Sequence, residues 1–280
     1  MLGAIVGDVV SSRFEWDNLK SKEFELFKPP CHATDDSVMT IAIGNALLKA
    51  ATAPPEKLAQ TTVMSMRILG RAYHGPNYDY GGMFYQWLYE KDPKPYNSFG
   101  NGAAMRVSGC AYAGDSLEEV LNLAHTVTAV THNHPDGIAG AQATAGAIYL
   151  ARTGASKDEI RKFVQDNYYD LNFTIDGIRP TYTFQGSCKG TVPQAVVAFL
   201  EGNDFEDTIR NAISIGGDSD TLAAIAGSIA EPFFGISREI GDTALSYLDT
   251  PLLKLFCEFE KTFIFPKQPK NRIIRTANFI

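Results

Sequence analysis

The stretch "GGDSDTLAAIAGSIA", residues 216–230, combines the start of a helix with a helix interior. Two glycines precede the tetrapeptide Asp-Ser-Asp-Thr at 218–221, whose side chains can accept the free N–H groups of a first helical turn. The run that follows, "LAAIAGSIA", is apolar and rich in small residues, which allow two helices to cross closely. The stretch therefore predicts a buried helix packed tightly against a neighbour.

Similar helix signals recur along the chain. Capping boxes are predicted at 116–119 ("SLEE") and 156–159 ("SKDE"), and Pro135 suits the first turn of a helix. Alternation with period two is scarce, so we predict that most of the chain is helical, with about ten or more helices. Residues 169–190 form the main irregular region, which we interpret as a functional loop, with a short strand pair as the alternative.

Composition limits the class of protein. The 280 residues are 45% apolar and contain no linker-like segment, so we expect one domain over 1–280 with a C-terminal extension at 265–280. Four widely spaced cysteines favour reduced thiols, and the apolar N-terminal stretch is too short to span a membrane. The net charge of −7 argues against stable nucleic-acid binding. We expect a cytoplasmic monomer with no membrane association.

A second acidic stretch, "TDDS" at 34–37, resembles the first and also precedes an apolar run. Either stretch alone could be a helix cap, but a cap needs one side chain, whereas both stretches contain two carboxylates. Neighbouring carboxylates repel each other unless a cation neutralises them. We therefore predict that the two stretches face each other across a site for divalent metal, Mg²⁺ first and Mn²⁺ second. Four carboxylates are enough for two ions.

Three further positions are candidates for the same site. Glu15 follows the apolar N-terminal run, with an ordinary surface glutamate as the alternative. "NSFGNGAAMR", residues 97–106, places glycines before a helix-like run, where backbone N–H groups can bind phosphate, although an ordinary turn has the same composition. We expect Arg106 at its end to pair with a carboxylate, with phosphate as the alternative partner.

The segment "THNHPDG", residues 131–137, contains two histidines one residue apart. We interpret His134 as a turn residue before Pro135. His132 follows the apolar run "LNLAHTVTAV" and is the better candidate for a hydrogen bond to a ligand.

Taken in order, these segments resemble the ADP-ribosylglycohydrolase family, over about residues 1–235. The resemblance rests on the following motifs: "GAIVGDVVSSRFE", "TDDSVMT", "SFGNGAAMR", "THNHPDG", "GSCKGTVPQAVVAFLEG" and "ISIGGDSDTLAAIAGSIAEPFFG". Together they are highly specific.

The resemblance implies an all-α protein, a single-domain orthogonal helical bundle with two Mg²⁺ ions, or Mn²⁺, at one end. It implies an enzyme that hydrolyses the bond between C1″ of ADP-ribose and a modified acceptor, with ADP-ribose and the ADP-ribosylated substrate as partners. The implied metal ligands are Thr34, Asp35, Asp36, Asp218, Asp220 and Thr221. The implied substrate contacts are Ser98, Phe99, Gly100, Asn101, Gly102 and His132, with Phe99 stacking on adenine.

The family's N-terminal glutamate corresponds to Glu15. Cleavage through an oxocarbenium-like ribose needs a carboxylate that accepts a proton from water, and Glu15 and Asp36 are the candidates. We favour Glu15, because a metal-bound aspartate is a weaker base. Two alternatives remain open: a metal-dependent phosphohydrolase acting on a nucleotide-like substrate, and a non-catalytic ADP-ribose-binding module. The acceptor, whether arginine, serine or another group, is not fixed by these motifs.

Overall fold

The computed structural model describes residues 1–267, and within them all regular structure is helical. The prediction of an all-α protein is confirmed. The α-helices are α1 (Leu2–Ser11), α2 (Asp35–Ala50), α3 (Pro55–Ala72), α4 (Gly82–Tyr89), α5 (Cys110–Ala113), α6 (Leu117–Ala129), α7 (Pro135–Thr153), α8 (Lys157–Asn167), α9 (Ile175–Ile178), α10 (Cys188–Glu201), α11 (Phe205–Ser214), α12 (Ser219–Phe234), α13 (Arg238–Leu245) and α14 (Thr250–Phe259).

Shorter helical turns lie at Ser12–Phe14, Asn101–Ala103 and Phe265–Lys267, and a π-helix at Glu260–Ile264. The irregular region 169–190 contains α9 but no strand pair; an isolated bridge joins Gly100 to Ser187 instead. The proposed extension 265–280 lies outside the described residues from 268 onward, and its boundary stays a prediction. No helix within 1–267 is both long and apolar enough to cross a membrane.

The predicted close crossing involves α1 and α12. A Cβ atom on Gly3 would lie 2.1 Å from the carbonyl oxygen of Gly227, and one on Gly7 would lie 2.1 Å from that of Ala223. Such distances leave no room for any side chain, so the two backbones are in direct contact. The glycines at these contacts are thus required by the packing, and α1 is fixed against the first half of α12.

The helix starts agree largely with the sequence signals. Ser156 and Glu159 form a complete capping box, and Pro135 occupies the first turn of α7. At the other predicted capping box, residues 116–119, the Ser116 hydroxyl accepts the N–H of Glu119. The Glu119 carboxylate, however, accepts the N–H of Asp115 and not that of Ser116. The helix begins where predicted with one half of the motif.

Four helices begin around one cleft. Asp35 of α2 and Asp220 of α12 lie on its wall, together with Gly186 just before α10 and His132 just before α7. The partial positive charge of a helix N-terminus favours anionic groups nearby. The bundle therefore brings predicted site segments, distant in sequence, to one end of the molecule.

Candidate active site

The cleft has a volume of about 650 Å³ and three kinds of wall. One wall carries carboxylates, the second is the glycine loop at 98–102, and the third is aromatic and apolar. Of the predicted site residues, those on the cleft wall are Glu15, Asp35, Asp36, Ser98, Gly100, Asn101, Gly102, His132, Asp218, Asp220 and Thr221. Thr34 and Phe99 lie nearby but outside this lining.

Glu15, Asp218 and Asp220 form the centre of the acidic wall. One carboxylate oxygen of each lies within 4.8 Å of the others. None of the three is in an ion pair with a described residue. Oxygen ligands at this spacing are the kind that hard divalent cations prefer, so the cluster can hold a metal ion.

Asp36 extends this cluster from α2. The Thr221 hydroxyl donates to its Oδ1 at 3.4 Å, whereas its Oδ2 is buried without a hydrogen-bond partner among the described residues. A buried, unpaired carboxylate oxygen is costly unless another group binds it. Asp35, half-buried, lines the same cleft outside the central three. The two acidic stretches thus face each other across one space.

Asp218 occupies the N-cap position of α12 but makes no capping hydrogen bond. Its Oδ2 instead accepts a hydrogen bond from Asn101 Nδ2, at 2.7 Å, which ties it to the glycine loop. Gly216 and Gly217, with φ of 66° and 79°, form the left-handed turn that brings the chain to this position. Capping therefore does not account for the Asp218 side chain.

Burial and mutual repulsion raise the pKa values of the carboxyl groups on the acidic wall. Burial, and then the charges of Asp218 and Asp35, raise the pKa of Glu15 to about 8. Burial, and then Asp8 and Asp218, raise the pKa of Asp35 to about 7. Burial and neighbouring carboxylates also hold the pKa values of Asp36 and Asp220 well above their usual range. The cleft thus favours either bound protons or a bound cation.

Thr34 is held behind the cleft wall by Asp8, a residue not among the predicted site residues. The fully buried Asp8 carboxylate accepts the Thr34 N–H at 3.0 Å and the Thr34 hydroxyl at 2.6 Å. It also accepts the Ser37 N–H, at 3.1 Å, and the Ser37 hydroxyl. Asp8 therefore fixes the start of α2 on which Asp35 and Asp36 lie. The sequence signal that could have identified Asp8 was a single carboxylate inside an apolar helix.

Asn18 is a second contact that sequence reasoning missed. Its Nδ2 donates to the carbonyl of Glu15 at 2.8 Å and to that of Gly217 at 3.0 Å. Its Oδ1 accepts the Gly217 N–H at 2.7 Å. This side chain joins the segment after Glu15 to the turn before Asp218. No local pattern distinguishes such an asparagine from a surface residue.

The glycine loop is anchored to the segment that precedes α10. The Asn101 N–H donates to the Gly186 carbonyl, and the Cys188 N–H donates to the Phe99 carbonyl, both at 3.0 Å. Gly100 and Gly102 line the cleft, so the backbone is open to close approach by a ligand. The Phe99 ring is 54% exposed and lies 5.5 Å from the His134 ring.

Arg106 does not have the partner expected for it. Its guanidinium is buried and donates to the Thr131 hydroxyl and to His132 Nδ1, not to a carboxylate. Our expectation of a carboxylate partner was therefore wrong: no described carboxylate lies within ion-pair distance of Arg106, and a hydroxyl and an imidazole accept from its Nη2 instead. His132 lies on the cleft wall, and its predicted hydrogen bond to a ligand stays a prediction.

An aromatic pair at the cleft also had no sequence signal. Trp16 and Phe184 are stacked, with ring centroids 5.3 Å apart and planes 13° apart. Both line the cleft and are well exposed, at 71% and 44%. Trp16 follows Glu15 directly, and Phe184 lies in the irregular region, so the pair joins two segments far apart in sequence.

Together, the fold and the site define an all-helical protein in which the N-termini of several helices surround an acidic cleft. This cleft is able to hold metal. A family model described as ADP-ribosylglycohydrolase matches residues 1–238. The chain belongs to the ADP-ribosylglycohydrolase family. It is therefore a hydrolase of the kind that acts on glycosidic bonds of ADP-ribose.

Two relatives and one solved structure are distant in sequence but align with most of the chain. The ADP-ribosylhydrolase ARH3 of Mus musculus is 25% identical over 85% of this chain and 83% of its own length. The ADP-ribosylarginine hydrolase Tri1 of Pseudomonas putida is 24% identical over 85% of this chain and 70% of its own. A solved structure described as an ADP-ribosylglycohydrolase-related protein complex has a TM-score of 0.66 at 23% identity, over 93% of this chain and 96% of that one. This last similarity concerns the fold alone.

Proposed function

We propose that the protein hydrolyses the bond between C1″ of ADP-ribose and a modified acceptor in a reaction that depends on two Mg²⁺ ions, with Mn²⁺ as the alternative metal. The observation that carries this proposal is the position of the acidic cluster beside the glycine loop. Asp218 is hydrogen bonded directly to Asn101 of that loop. One cleft thus offers oxygen ligands for cations and an open backbone for a diphosphate.

The residues fit the implied ions. The proposed ligands are Thr34, Asp35, Asp36, Asp218, Asp220 and Thr221. The partnerless Oδ2 of Asp36 and the absence of an ion-pair partner for these aspartates within 1–267 support this assignment. Thr34 donates its hydroxyl proton to Asp8 and accepts the Asp36 N–H, which leaves one lone pair for a ligand. Bound metal would polarise substrate oxygens and lower the pKa of water.

The chain's own groups supply the acid–base step. Glu15 borders the cleft, and one of its carboxylate oxygens lies within 4.8 Å of those of Asp218 and Asp220, so it is placed beside the proposed metal ligands as a proton acceptor. We propose Glu15 as the group that takes a proton from the attacking water, with Asp36 as the alternative. The proposed substrate contacts are Ser98, Phe99, Gly100, Asn101, Gly102 and His132. Phe99 offers an exposed ring on which adenine can stack.

The group to which ADP-ribose is attached, the acceptor, is not determined by the site residues. The name of the Pseudomonas relative makes ADP-ribosylated arginine the first substrate to test. ADP-ribosylated serine and nucleic acid complete the screen. The monomeric state, the cytoplasmic location, the absence of nucleic-acid binding and the domain boundaries stay predictions.

The test measures release of ADP-ribose by chromatography, with EDTA and with added Mg²⁺. We expect EDTA to abolish release and Mg²⁺ to restore it. Glu15→Gln should lower turnover by about 10²–10⁴-fold, because the amide cannot accept the proton. ADP-ribose binding should persist in this variant. Trp16 can report that binding, since the protein's other tryptophan, Trp87, is buried.

Glu23→Gln is the matched control, because Glu23 is an exposed glutamate of the same segment outside the cleft. Its turnover should equal that of the wild type. Full activity in metal-free enzyme would contradict the role of metal. Release of inorganic phosphate in place of ADP-ribose would identify a phosphohydrolase, and binding of ADP-ribose without turnover on any substrate would identify a binding module.

A further inference from the structure

Arg106 is a buried cation beside the cleft that the proposed reaction does not use. It is 1% exposed, and it has no carboxylate within ion-pair distance among residues 1–267. Its Nη2 donates to Thr131 Oγ1 at 2.7 Å and to His132 Nδ1 at 3.1 Å. Burial lowers the pKa of Arg106 to about 10, so it stays charged near neutral pH. Burying a cation here is costly and needs a reason.

The contact with His132 determines the position of a proton. A guanidinium can donate hydrogen bonds but cannot accept them. His132 Nδ1 also lies 2.8 Å from Thr131 Oγ1, which accepts from Arg106 Nη2 and can donate its own hydroxyl hydrogen to Nδ1. With the guanidinium and the hydroxyl both as donors, the arrangement fits a neutral imidazole that has its lone pair on Nδ1 and its hydrogen on Nε2. The environment agrees, because burial and the Arg106 charge lower the pKa of His132 well below 6.5.

The Nε2 side of His132 faces the glycine loop. A Cβ atom on Gly100 or on Gly102 would lie 3.5 Å from Nε2, so the missing side chains leave the space in front of this nitrogen open. Nε2 has no hydrogen-bond partner within the described part of the chain, and His132 lies on the cleft wall. An N–H group aimed at an open glycine loop suits an anionic oxygen.

We propose that Arg106 is a positioning residue, which holds His132 as a neutral Nε2–H donor toward an oxygen of the substrate diphosphate at the glycine loop. The identity of this ligand rests on the proposed function. Arg106 also lines the cleft, but both of its described hydrogen bonds are to Thr131 and His132. The alternative is that Arg106 only fills space, packed over the Phe84 ring at 5.8 Å.

Nuclear magnetic resonance of protein labelled with ¹⁵N in histidine tests the proton's position directly. Long-range ¹H–¹⁵N spectra distinguish the two neutral tautomers and the imidazolium, and a His132→Gln variant assigns the signal. We expect neutral His132 with the proton on Nε2 at pH 7 in the wild-type protein. A wild-type spectrum with the proton on Nδ1, or a charged ring, would overturn the inference without any variant.

Arg106→Met keeps a similar volume and removes every donor. We expect its His132 signal to shift toward a mixture of tautomers, and calorimetry to give about five- to ten-fold weaker binding of ADP-ribose. Arg152→Met is the control, because Arg152 donates to the Gly114 carbonyl and does not line the cleft. It should change neither the tautomer nor the affinity.

Circular dichroism and melting curves establish whether Arg106→Met folds. If it does not fold, the ¹H–¹⁵N spectrum of wild-type His132 alone decides whether the inference holds. An Arg106→Met protein with the wild-type tautomer and affinity would overturn the inference while leaving the proposed function intact. Failure of the wild-type protein to bind ADP-ribose would instead overturn the proposed function and the ligand assigned here.

Discussion

Asp218 stands where a helix cap belongs, yet its carboxylate points to the glycine loop. A cap and a metal ligand make opposite predictions for the same substitution. Asparagine is as good an N-cap as aspartate, so a capping role would survive the change. A metal ligand would lose its charge and much of its affinity for a hard cation. The Asp218–Asn101 hydrogen bond favours the second role.

We therefore expect Asp218→Asn and Asp220→Asn to lose metal and at least about 100-fold in turnover. Without metal, neither variant should be less stable than the wild type, because no capping hydrogen bond is lost and repulsion among the carboxylates is relieved. Metal content, melting temperature and ADP-ribose release measure these effects together. Ser219→Ala is the control, since Ser219 donates only to backbone carbonyls. Normal metal content and turnover in both asparagine variants would contradict the metal site.

Individual site residues could be predicted from the sequence where a short local pattern indicated their chemistry. Doubled aspartates are unusual at a helix start, so they indicated a site. Asp8 and Asn18 act through contacts with segments 26 and 199 residues away along the chain, and only the fold brings those segments together. The partner of Arg106 was predicted wrongly for the same reason. Nothing in "GAAMR" indicates that Thr131 and His132 lie beside it.

The helices α1, α2 and α12 build the acidic wall as a unit. Backbone contact at Gly3 and Gly7 sets α1 against α12, and Asp8 on the same helix holds the start of α2. A carboxylate suits this position because all four of its partners there are donors. In Asp8→Asn, the side-chain NH₂ group would face some of the N–H and O–H donors of Thr34 and Ser37. The start of α2 should then shift.

Asp8→Asn should accordingly weaken Mg²⁺ binding by about 10–100-fold, as removal of an outer partner of metal ligands typically does. Calorimetric titration with Mg²⁺ measures the affinity without any substrate. Val9→Ala is a matched control, because it removes buried apolar volume from the next position of α1 and destabilises the fold by another route. Equal loss of Mg²⁺ affinity in both variants would mean that Asp8 acts on stability alone.

Elements were predictable where the local signals were strong. Capping residues, Pro135 and runs of small apolar residues indicated the long helices. The segments 12–34 and 169–187 were not predictable in conformation, because side-chain contacts with other segments hold them. Lys20, for example, donates to the Tyr182 carbonyl at 2.6 Å and also to the carbonyl of Ile215. The Trp16–Phe184 stack joins the same two segments.

On the scale of the whole molecule, the acidic cleft links stability to pH and to metal. The pKa of Glu15 is raised from 4.5 to about 8, and that of Asp35 from 3.8 to about 7. A raised pKa means that the folded state binds protons more tightly than the unfolded state. Its stabilising effect is complete below the unfolded pKa and disappears as the pH rises through the folded pKa.

We therefore expect the melting temperature of the metal-free protein to fall between about pH 4 and pH 8. Metal ligands must be deprotonated, and metal binds only the folded site, so the gain in melting temperature on adding Mg²⁺ should grow over the same range. Scanning calorimetry in EDTA and in Mg²⁺ at each pH measures both curves. Asp220→Asn removes one carboxyl whose pKa burial raises, so its metal-free curve should fall less steeply and its gain from Mg²⁺ should be smaller. A metal-free melting temperature that rises from pH 5 to pH 8, with a Mg²⁺ effect independent of pH, would show that these carboxylates neither hold the extra protons nor bind the ion.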